Sequence, residues 1–128
     1  MEIVREMVIA FEAGDREAWR RQLAPDVVWD NSATRLVEAQ VHRGHAGIEK
    51  FFTEWLGAWD APTVETTELI DAEDCVVAVF RWSGVGKSSG VRTEQEFYGV
   101  YDVRDGLVAR FRGYDTREEA LEAAGLSE

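Results

Sequence analysis

Leu107-Val-Ala-Arg-Phe-Arg-Gly-Tyr-Asp115 is the stretch whose alternation decides the predicted fold. Successive side chains of a β-strand point to opposite faces, so this segment separates into an apolar row and a polar row. The apolar row consists of Leu107, Ala109, Phe111 and Gly113. Asp115 ends this row, and its carboxylate is therefore either a cap of the helix that follows or the working group of an apolar pocket.

The β-pattern continues upstream through the second half of the chain. Alternating and apolar runs predict strands over residues 63–71, 75–87, 91–103 and 107–114. Asp105-Gly106 suits a tight hairpin turn, because both residues tolerate positive φ. Residues 75–82 are apolar in both alternating positions, so we expect this strand to be covered on both faces.

Apolar residues at helical spacing or helix start signals mark the remaining segments. They predict helices at residues 2–13, 15–23, 48–59 and 117–124. Pro62 is expected to end the third helix. The last helix has two alternative start signals, because Asp115 with Glu118 and Thr116 with Glu119 both have capping-box spacing.

A short strand starting at Val27 and an irregular arm over residues 36–42 lie between the second and third helices. This order of helices and strands predicts an α+β fold, in which helices pack on the concave face of a bent antiparallel sheet. The length of 128 residues fits a single domain over residues 1–128.

Charge limits the classes of partner. The formal net charge is −11, which repels nucleic-acid phosphates and anionic lipid surfaces. The N-terminal segment lacks the basic and apolar runs of a signal peptide, so we expect a cytoplasmic protein that binds neither nucleic acid nor membrane.

Metal and disulfide chemistry find little support in the sequence. Cys75 is the single cysteine, which excludes an internal disulfide and a cysteine-based zinc cluster. His42 and His45 have no carboxylate at ligand spacing, so no metal site is predicted.

Four segments carry a resemblance to a known superfamily. They are Glu-Ala-Gly-Asp-Arg-Glu-Ala-Trp at 12–19, Leu-Ala-Pro-Asp-Val-Val-Trp at 23–29, His-Arg-Gly-His-Ala-Gly-Ile-Glu-Lys-Phe-Phe at 42–52 and Tyr-Asp-Thr-Arg-Glu-Glu-Ala-Leu-Glu-Ala-Ala-Gly-Leu at 114–126. In this respect the chain resembles the nuclear transport factor 2-like (cystatin-like) superfamily, and within it the SnoaL-like branch. The resemblance implies a homodimer with a cone-shaped apolar cavity between sheet and helices. It does not choose a function, because the superfamily includes isomerases, cyclases, dehydratases, epoxide hydrolases and binding modules.

Ketosteroid isomerases of this superfamily use a general-base Asp and an oxyanion hole formed by a Tyr and a protonated Asp. The resemblance places the Tyr position at Met7, the base at Asn31 and the oxyanion-hole Asp near Gly99. All three catalytic groups are therefore missing. Asp30 could replace Asn31 only if the strand slipped by one residue, which would also turn the Trp29 side chain to the other face of the sheet. Steroid isomerisation by that mechanism is therefore not predicted.

The resemblance to SnoaL-like polyketide cyclases implies a different base, at Asp115. An intramolecular aldol closure needs a group that removes an activated proton and returns one to oxygen in a dry site. Asn31 or His42 would assist, Asn31 by holding a substrate carbonyl through a hydrogen bond. This chemistry needs no cofactor.

The aromatic content favours a cavity for a flat hydrophobic or aromatic ligand, since such pockets are lined mainly by apolar groups. The expected walls are Met7, Phe11, Trp29, Phe52, Trp55, Trp59, Phe80, Trp82, Phe97, Tyr101 and Phe111. Three functions remain open at this point: a cofactor-free enzyme of the cyclase or isomerase type, a non-catalytic ligand-binding or sensing module, and a dimerisation scaffold.

Two features of the sheet lead to further expectations. Arg and Tyr side chains mixed with valines on the outer face predict a dimer interface, formed by Arg81, Arg110, Arg112, Tyr98, Tyr114, Val77, Val79, Val100 and Val108. Gly99 and Gly113 on the inner rows are expected to leave space in the cavity or to bend the sheet.

Overall fold

Six strands form one sheet in the computed structural model, which describes residues 2–33, 41–73 and 75–126. The elements are α1 Glu2–Glu12, α2 Arg16–Arg21, β1 Leu23–Asp30, β2 Val41–Arg43, α3 Gly44–Gly57, β3 Trp59–Asp71, β4 Cys75–Gly86, β5 Arg92–Arg104, β6 Leu107–Tyr114 and α4 Arg117–Ala123. The strand order is β2-β1-β6-β5-β4-β3. Neighbouring strands are antiparallel except β1 and β6, which run parallel. The predicted α+β class is confirmed.

The main differences from the predicted boundaries occur at the two prolines. Pro62 does not end α3, which stops at Gly57; it lies inside β3, at a register shift between Asp60 and Thr63. β3 is an edge strand, where a missing backbone N–H is tolerated. Likewise, Pro25 lies inside β1, which begins at Leu23 rather than at Val27.

Several local predictions are confirmed. Asp105 and Gly106 have φ values of 54° and 76°, as the tight hairpin turn requires. Residues 75–80 of β4 are all buried, and Arg81 is the first exposed side chain of that strand. Residues 36–40 of the predicted arm lie outside the described residues, and β2 covers its C-terminal end.

The helices lie on both faces of the sheet, which corrects the expectation of one helical layer. The N-terminal helices and α3 enclose the main core on the concave face. α4 lies on the outer face, where Ala120 and Leu121 cover Val77 and Val100. None of the helices in the described part of the chain is both long enough and apolar enough to cross a membrane.

The covering by α4 changes the outer face on which a dimer was predicted. Val77 and Val100 are fully buried by their own chain, so they offer no apolar surface to a partner. Val108 packs in the main core instead of facing outward, because a register shift between Asp102 and Val103 displaces the start of β6. The homodimer therefore stays a prediction without this apolar support.

Gly99 does not leave empty space, contrary to the expectation. The ring of Phe111 fills the position where a Cβ on Gly99 would be, so any larger residue would overlap that ring. Gly99 and Gly113 are directly paired across β5 and β6. The missing side chain thus makes room for an aromatic ring of the same sheet.

We expect Gly99→Ala to lower the free energy of unfolding by about 1–3 kcal/mol, because the added methyl group overpacks against Phe111. Urea unfolding checks this. The control is Gly57→Ala, where a Cβ would meet nothing within 4 Å. Equal stability of Gly99→Ala and the unmodified protein would contradict the assignment.

Candidate functional site

An apolar cavity of about 80 Å³ lies between the concave face of the sheet and the helices α1, α2 and α3. All of the predicted wall residues contribute to it except Trp59, which packs on Trp82 with ring centroids 4.9 Å apart. Trp59 is displaced because it begins β3 instead of ending α3. Further lining residues that sequence reasoning did not identify are Val8, Trp19, Phe51, Val64, Thr66 and Gln95.

Strand pairing accounts for part of what was missed. Thr66 pairs with Phe80, and Gln95 pairs with Trp82, so both share the inner face with predicted wall residues. The alternation within each strand was visible in the sequence, but the pairing between strands was not. The aromatic spacing of α3 already contained Phe51.

Phe52 lies at the centre of the aromatic wall. Its ring centroid is 5.4 Å from Phe11, 5.6 Å from Trp19 and 5.6 Å from Trp29, in tilted or edge-to-face contacts. Such arrangements are favourable for aromatic quadrupoles. Phe52 therefore joins α1, α2, α3 and the sheet in one cluster.

A second groove, of about 480 Å³, lies outside this wall. The groove and the inner cavity share Phe11, Trp19, Phe52 and Val64. Rotation of these shared side chains would join the two spaces.

The polar side chains of the cavity gather near one edge. Asn31 follows β1 and Asp115 follows β6, and the carboxyl ends of these two parallel strands meet at the same edge of the sheet. Asn31 is 4% exposed, and Asp115 is half-buried. The structure thus brings two of the three predicted catalytic residues to one cavity.

Thr116, rather than Asp115, is the N-cap of α4. The Thr116 Oγ1 accepts a hydrogen bond from the Glu119 backbone N–H at 3.2 Å and donates one to the Glu119 carboxylate at 2.9 Å. Among the described residues, none donates a hydrogen bond to the Asp115 carboxylate or pairs with it. The cap alternative for Asp115 is therefore wrong, and Asp115 is among the residues that line the cavity.

Asp30 is occupied outside the cavity. Its Oδ1 accepts hydrogen bonds from the Ser32 backbone N–H at 2.9 Å and the Ser32 hydroxyl at 2.6 Å. The hydroxyl hydrogen bond is the main reason that the pKa of Asp30 lies below its usual value. Trp29 pairs with Phe111 in β6, so the strand has not slipped and Asp30 does not replace Asn31.

His42 is not brought into the cavity, although it was predicted to assist there. Its ring packs on Phe51 with centroids 4.6 Å apart, and Phe51 stands between it and the cavity. His45 Nε2 lies 3.1 Å from the Leu23 carbonyl oxygen. Within residues 2–33, 41–73 and 75–126, no group of three or more His, Cys, Asp or Glu side chains is arranged to hold a metal ion.

Tyr101 adds a buried polar group to the apolar wall. The residue is 3% exposed, and its hydroxyl has no hydrogen-bond partner among the described residues. Burial first, and the charge of Glu12 second, raise the pKa of Tyr101 above its usual value of 10.0. The phenol therefore stays protonated in the folded protein.

Comparison with known proteins identifies the family. The profile of the SnoaL-like domain matches residues 4–111, and the chain belongs to this family. No match was found among curated protein sequences.

Solved structures share the fold over nearly the whole chain. A nuclear transport factor 2-like protein from Burkholderia thailandensis is 25% identical, with a TM-score of 0.82 and coverage of 98% of this chain and 96% of that one. TerC, co-crystallised with polyporic acid, is 21% identical, with a TM-score of 0.75 and coverage of 97% and 96%. RV0760c from Mycobacterium tuberculosis, in complex with estradiol-17beta-hemisuccinate, is 22% identical, with a TM-score of 0.71 and coverage of 90% and 92%. The predicted nuclear transport factor 2-like fold is confirmed.

The cap assignment leads to a test with two variants. We expect Thr116→Ala to lose about 1 kcal/mol of unfolding free energy, because it removes the cap of α4. Asp115→Asn should stay within about 0.5 kcal/mol of the unmodified protein. Thermal and urea unfolding measure both. A loss in Asp115→Asn as large as that in Thr116→Ala would show that the Asp115 carboxylate holds the helix.

The buried phenol predicts an alkaline slope in stability. Above pH 10 the Tyr101 hydroxyl ionises in the unfolded chain but stays protonated in the folded one, so the unfolded state is favoured as pH rises. One such group lowers the unfolding free energy by up to about 1.4 kcal/mol per pH unit. We expect Tyr101→Phe to remove this part of the slope between pH 10 and 11 in urea titrations. Identical slopes in Tyr101→Phe and the unmodified protein would contradict the protonated state assigned to the buried phenol.

Proposed function

We propose that the protein binds a flat, hydrophobic or aromatic small molecule in the apolar cavity and that Asp115 performs cofactor-free acid/base chemistry on it. The observation that carries the proposal is the position of the Asp115 carboxylate, which lines an aromatic cavity while the next residue caps the helix. A cytoplasmic location is part of the proposal.

The composition of the wall supports an uncharged ligand. Apolar and aromatic side chains from the helices and the sheet make up most of the lining, and among the described residues no lysine, arginine or histidine contributes to it. The net charge of −11 also disfavours anionic compounds. The choice of a small organic ligand, though not its lack of charge, is supported by two structural relatives that were crystallised with polyporic acid and estradiol-17beta-hemisuccinate.

Binding of a bicyclic ligand requires the aromatic wall to adapt. The free space of about 80 Å³ is smaller than the roughly 150 Å³ cavity known to accept benzene. Phe11, Trp19 and Phe52 separate this space from the outer groove. Their rotation would extend the cavity towards the groove and admit a larger ring system.

The proposed reaction begins with proton removal. The Asp115 carboxylate takes a proton from a carbon next to a ligand carbonyl, and the electron pair of that C–H bond moves to the carbonyl oxygen to form an enolate. In a cyclisation, the enolate carbon then attacks a second carbonyl of the same ligand. In an isomerisation, the enolate is instead protonated at another carbon. Asp115 returns its proton to the new alkoxide or to that carbon, which restores the carboxylate.

Asn31 is placed to support the same reaction. Its side chain lines the cavity near the edge where Asp115 lies, and an amide N–H can donate a hydrogen bond to a developing enolate oxygen. His42 has no such position, because Phe51 lies between its ring and the cavity. The proposed site therefore consists of Asp115 and Asn31.

A non-catalytic ligand-binding module is the second candidate function. It is favoured by the predominance of apolar contacts, which would suffice for binding alone. A homodimer remains part of the proposal on the grounds of family resemblance. Sedimentation at micromolar concentration tests it, and a species near 14.5 kDa alone would contradict it.

The binding and the chemistry can be measured with two probes. N-Phenyl-1-naphthylamine, an apolar dye without oxygen, should bind saturably at about one molecule per chain. In heavy water, the protein should accelerate exchange of the acetyl protons of 2-acetylnaphthalene, followed by NMR. We expect Asp115→Asn to lose roughly 10²- to 10⁴-fold of this acceleration while it still binds the dye.

The matched control is Asp26→Asn, which changes an exposed carboxylate outside the cavity lining. It should leave both dye binding and exchange unchanged. Full exchange activity in Asp115→Asn would remove the catalytic role and favour the binding module. Absence of saturable dye binding would contradict the cavity proposal itself.

A further inference from the structure

Tyr101 is the buried polar group that the proposed reaction does not use. It lies on β5 and pairs with Phe111 on β6. Asp115 comes four residues after Phe111 in the chain. At about 3.3 Å per residue, the backbones at these two positions are separated by roughly 13 Å along the strands. The backbone of Tyr101 is therefore well separated from that of Asp115, although both residues line the cavity.

Aromatic rings pack around the ring of Tyr101. The ring centroid lies 4.9 Å from Phe111, 6.1 Å from Trp29 and 6.3 Å from Phe80. Buried hydroxyl groups are normally hydrogen-bonded, because an unpaired one is unfavourable in an apolar environment. Among the described residues Tyr101 has no such partner, although it lines the cavity.

We propose that the Tyr101 hydroxyl donates a hydrogen bond to a neutral oxygen atom of the ligand and thereby selects flat, multi-ring compounds that carry oxygen functions at both ends. This inference rests on the proposed function, in which Asp115 and Asn31 act on a carbonyl at the other end. Tyr101 is in this view a specificity-determining residue.

The chemistry of the site restricts which oxygen can bind there. The phenol remains a donor because burial and the charge of Glu12 keep it protonated. The same negative charge disfavours a carboxylate or phenolate at this end. The described lining contains no cationic side chain that would compensate for an anion. A ketone, quinone or ether oxygen fits these conditions.

The separation of the two ends restricts the size of the ligand. A ligand longer than a single six-membered ring fits the separation of roughly 13 Å between the backbone positions of Asp115 and Tyr101 along the strands. Contacts made by a remote oxygen can hold the reacting carbonyl in place. The ligand class is therefore a fused or linked ring system with an activated carbonyl at one end and a neutral oxygen acceptor at the other.

The test compares two probes of the same shape, 2-acetyl-6-methoxynaphthalene and 2-acetyl-6-ethylnaphthalene. The methoxy compound has an ether oxygen where the ethyl compound has a methylene group, and this oxygen can accept but not donate a hydrogen bond. The unmodified protein should bind the methoxy compound on the order of 3- to 10-fold more tightly. In Tyr101→Phe this preference should fall to about 1, with the affinity for the ethyl compound unchanged.

The control is Tyr98→Phe on the same strand, where the hydroxyl donates to Glu96 at 2.7 Å outside the cavity. It should keep the preference. A second readout uses unmodified protein with ¹³C-labelled tyrosine, in which the Tyr101 ring carbon that bears the hydroxyl should shift with the methoxy compound and not with the ethyl compound. This measurement holds even if Tyr101→Phe does not fold.

Equal affinities for the two probes in the unmodified protein would overturn the inference, and so would a preference that persists in Tyr101→Phe. In either case, saturable binding of N-phenyl-1-naphthylamine would leave the proposed cavity function standing. Loss of dye binding by the unmodified protein would instead overturn the proposed function and this inference together.

Discussion

The stack of Trp29 on Phe111 is the contact on which the arrangement of the cavity depends. The two rings lie 4.3 Å apart at an angle of 20° across the parallel pair β1 and β6. The stack fits only because Gly99, on the next strand, leaves room for the ring of Phe111. It fixes the register of the two strands and thereby brings Asn31 and Asp115 to the same edge of the sheet.

The junction between β6 and α4 places a helix cap directly after a residue that lines the cavity. Thr116 caps the helix, so the Asp115 carboxylate is available to the cavity. α4 then crosses to the outer face and covers Val77 and Val100 with Ala120 and Leu121. Residues 75–80 of β4 are buried on both faces in this way. The concave face remains lined by aromatic side chains around a small space.

A few polar groups in an apolar wall define the chemical character of the cavity. Asp115 and Asn31 lie towards one edge, whereas Tyr101 is on β5 opposite Phe111 and its ring packs among aromatic rings. Apolar surface supplies most of the binding energy in such pockets, and the few polar groups determine orientation and specificity. One fold can host many functions, so an argument about function has to rest on such groups and not on the fold.

The amino-acid sequence by itself determined the elements whose signals are local: the Asp105-Gly106 turn, the strand β6, the doubly covered β4 and the aromatic spacing of α3. The face of Val108 was not among them, because the register shift between Asp102 and Val103 places this side chain in the main core. The sequence also identified Asp115 and most wall residues, because alternation shows which side chains share a face. The sequence left two N-caps possible for α4, because two overlapping pairs of residues have capping-box spacing. It also placed Trp59 on a helix, because the apolar periodicity of α3 continues up to that residue. Only the tertiary structure decided the rest. The pairing of β1 with β6 joins segments far apart in the chain, and no local pattern encodes that Gly99 holds the Phe111 ring, that Phe51 separates His42 from the cavity, or that α4 covers the outer face.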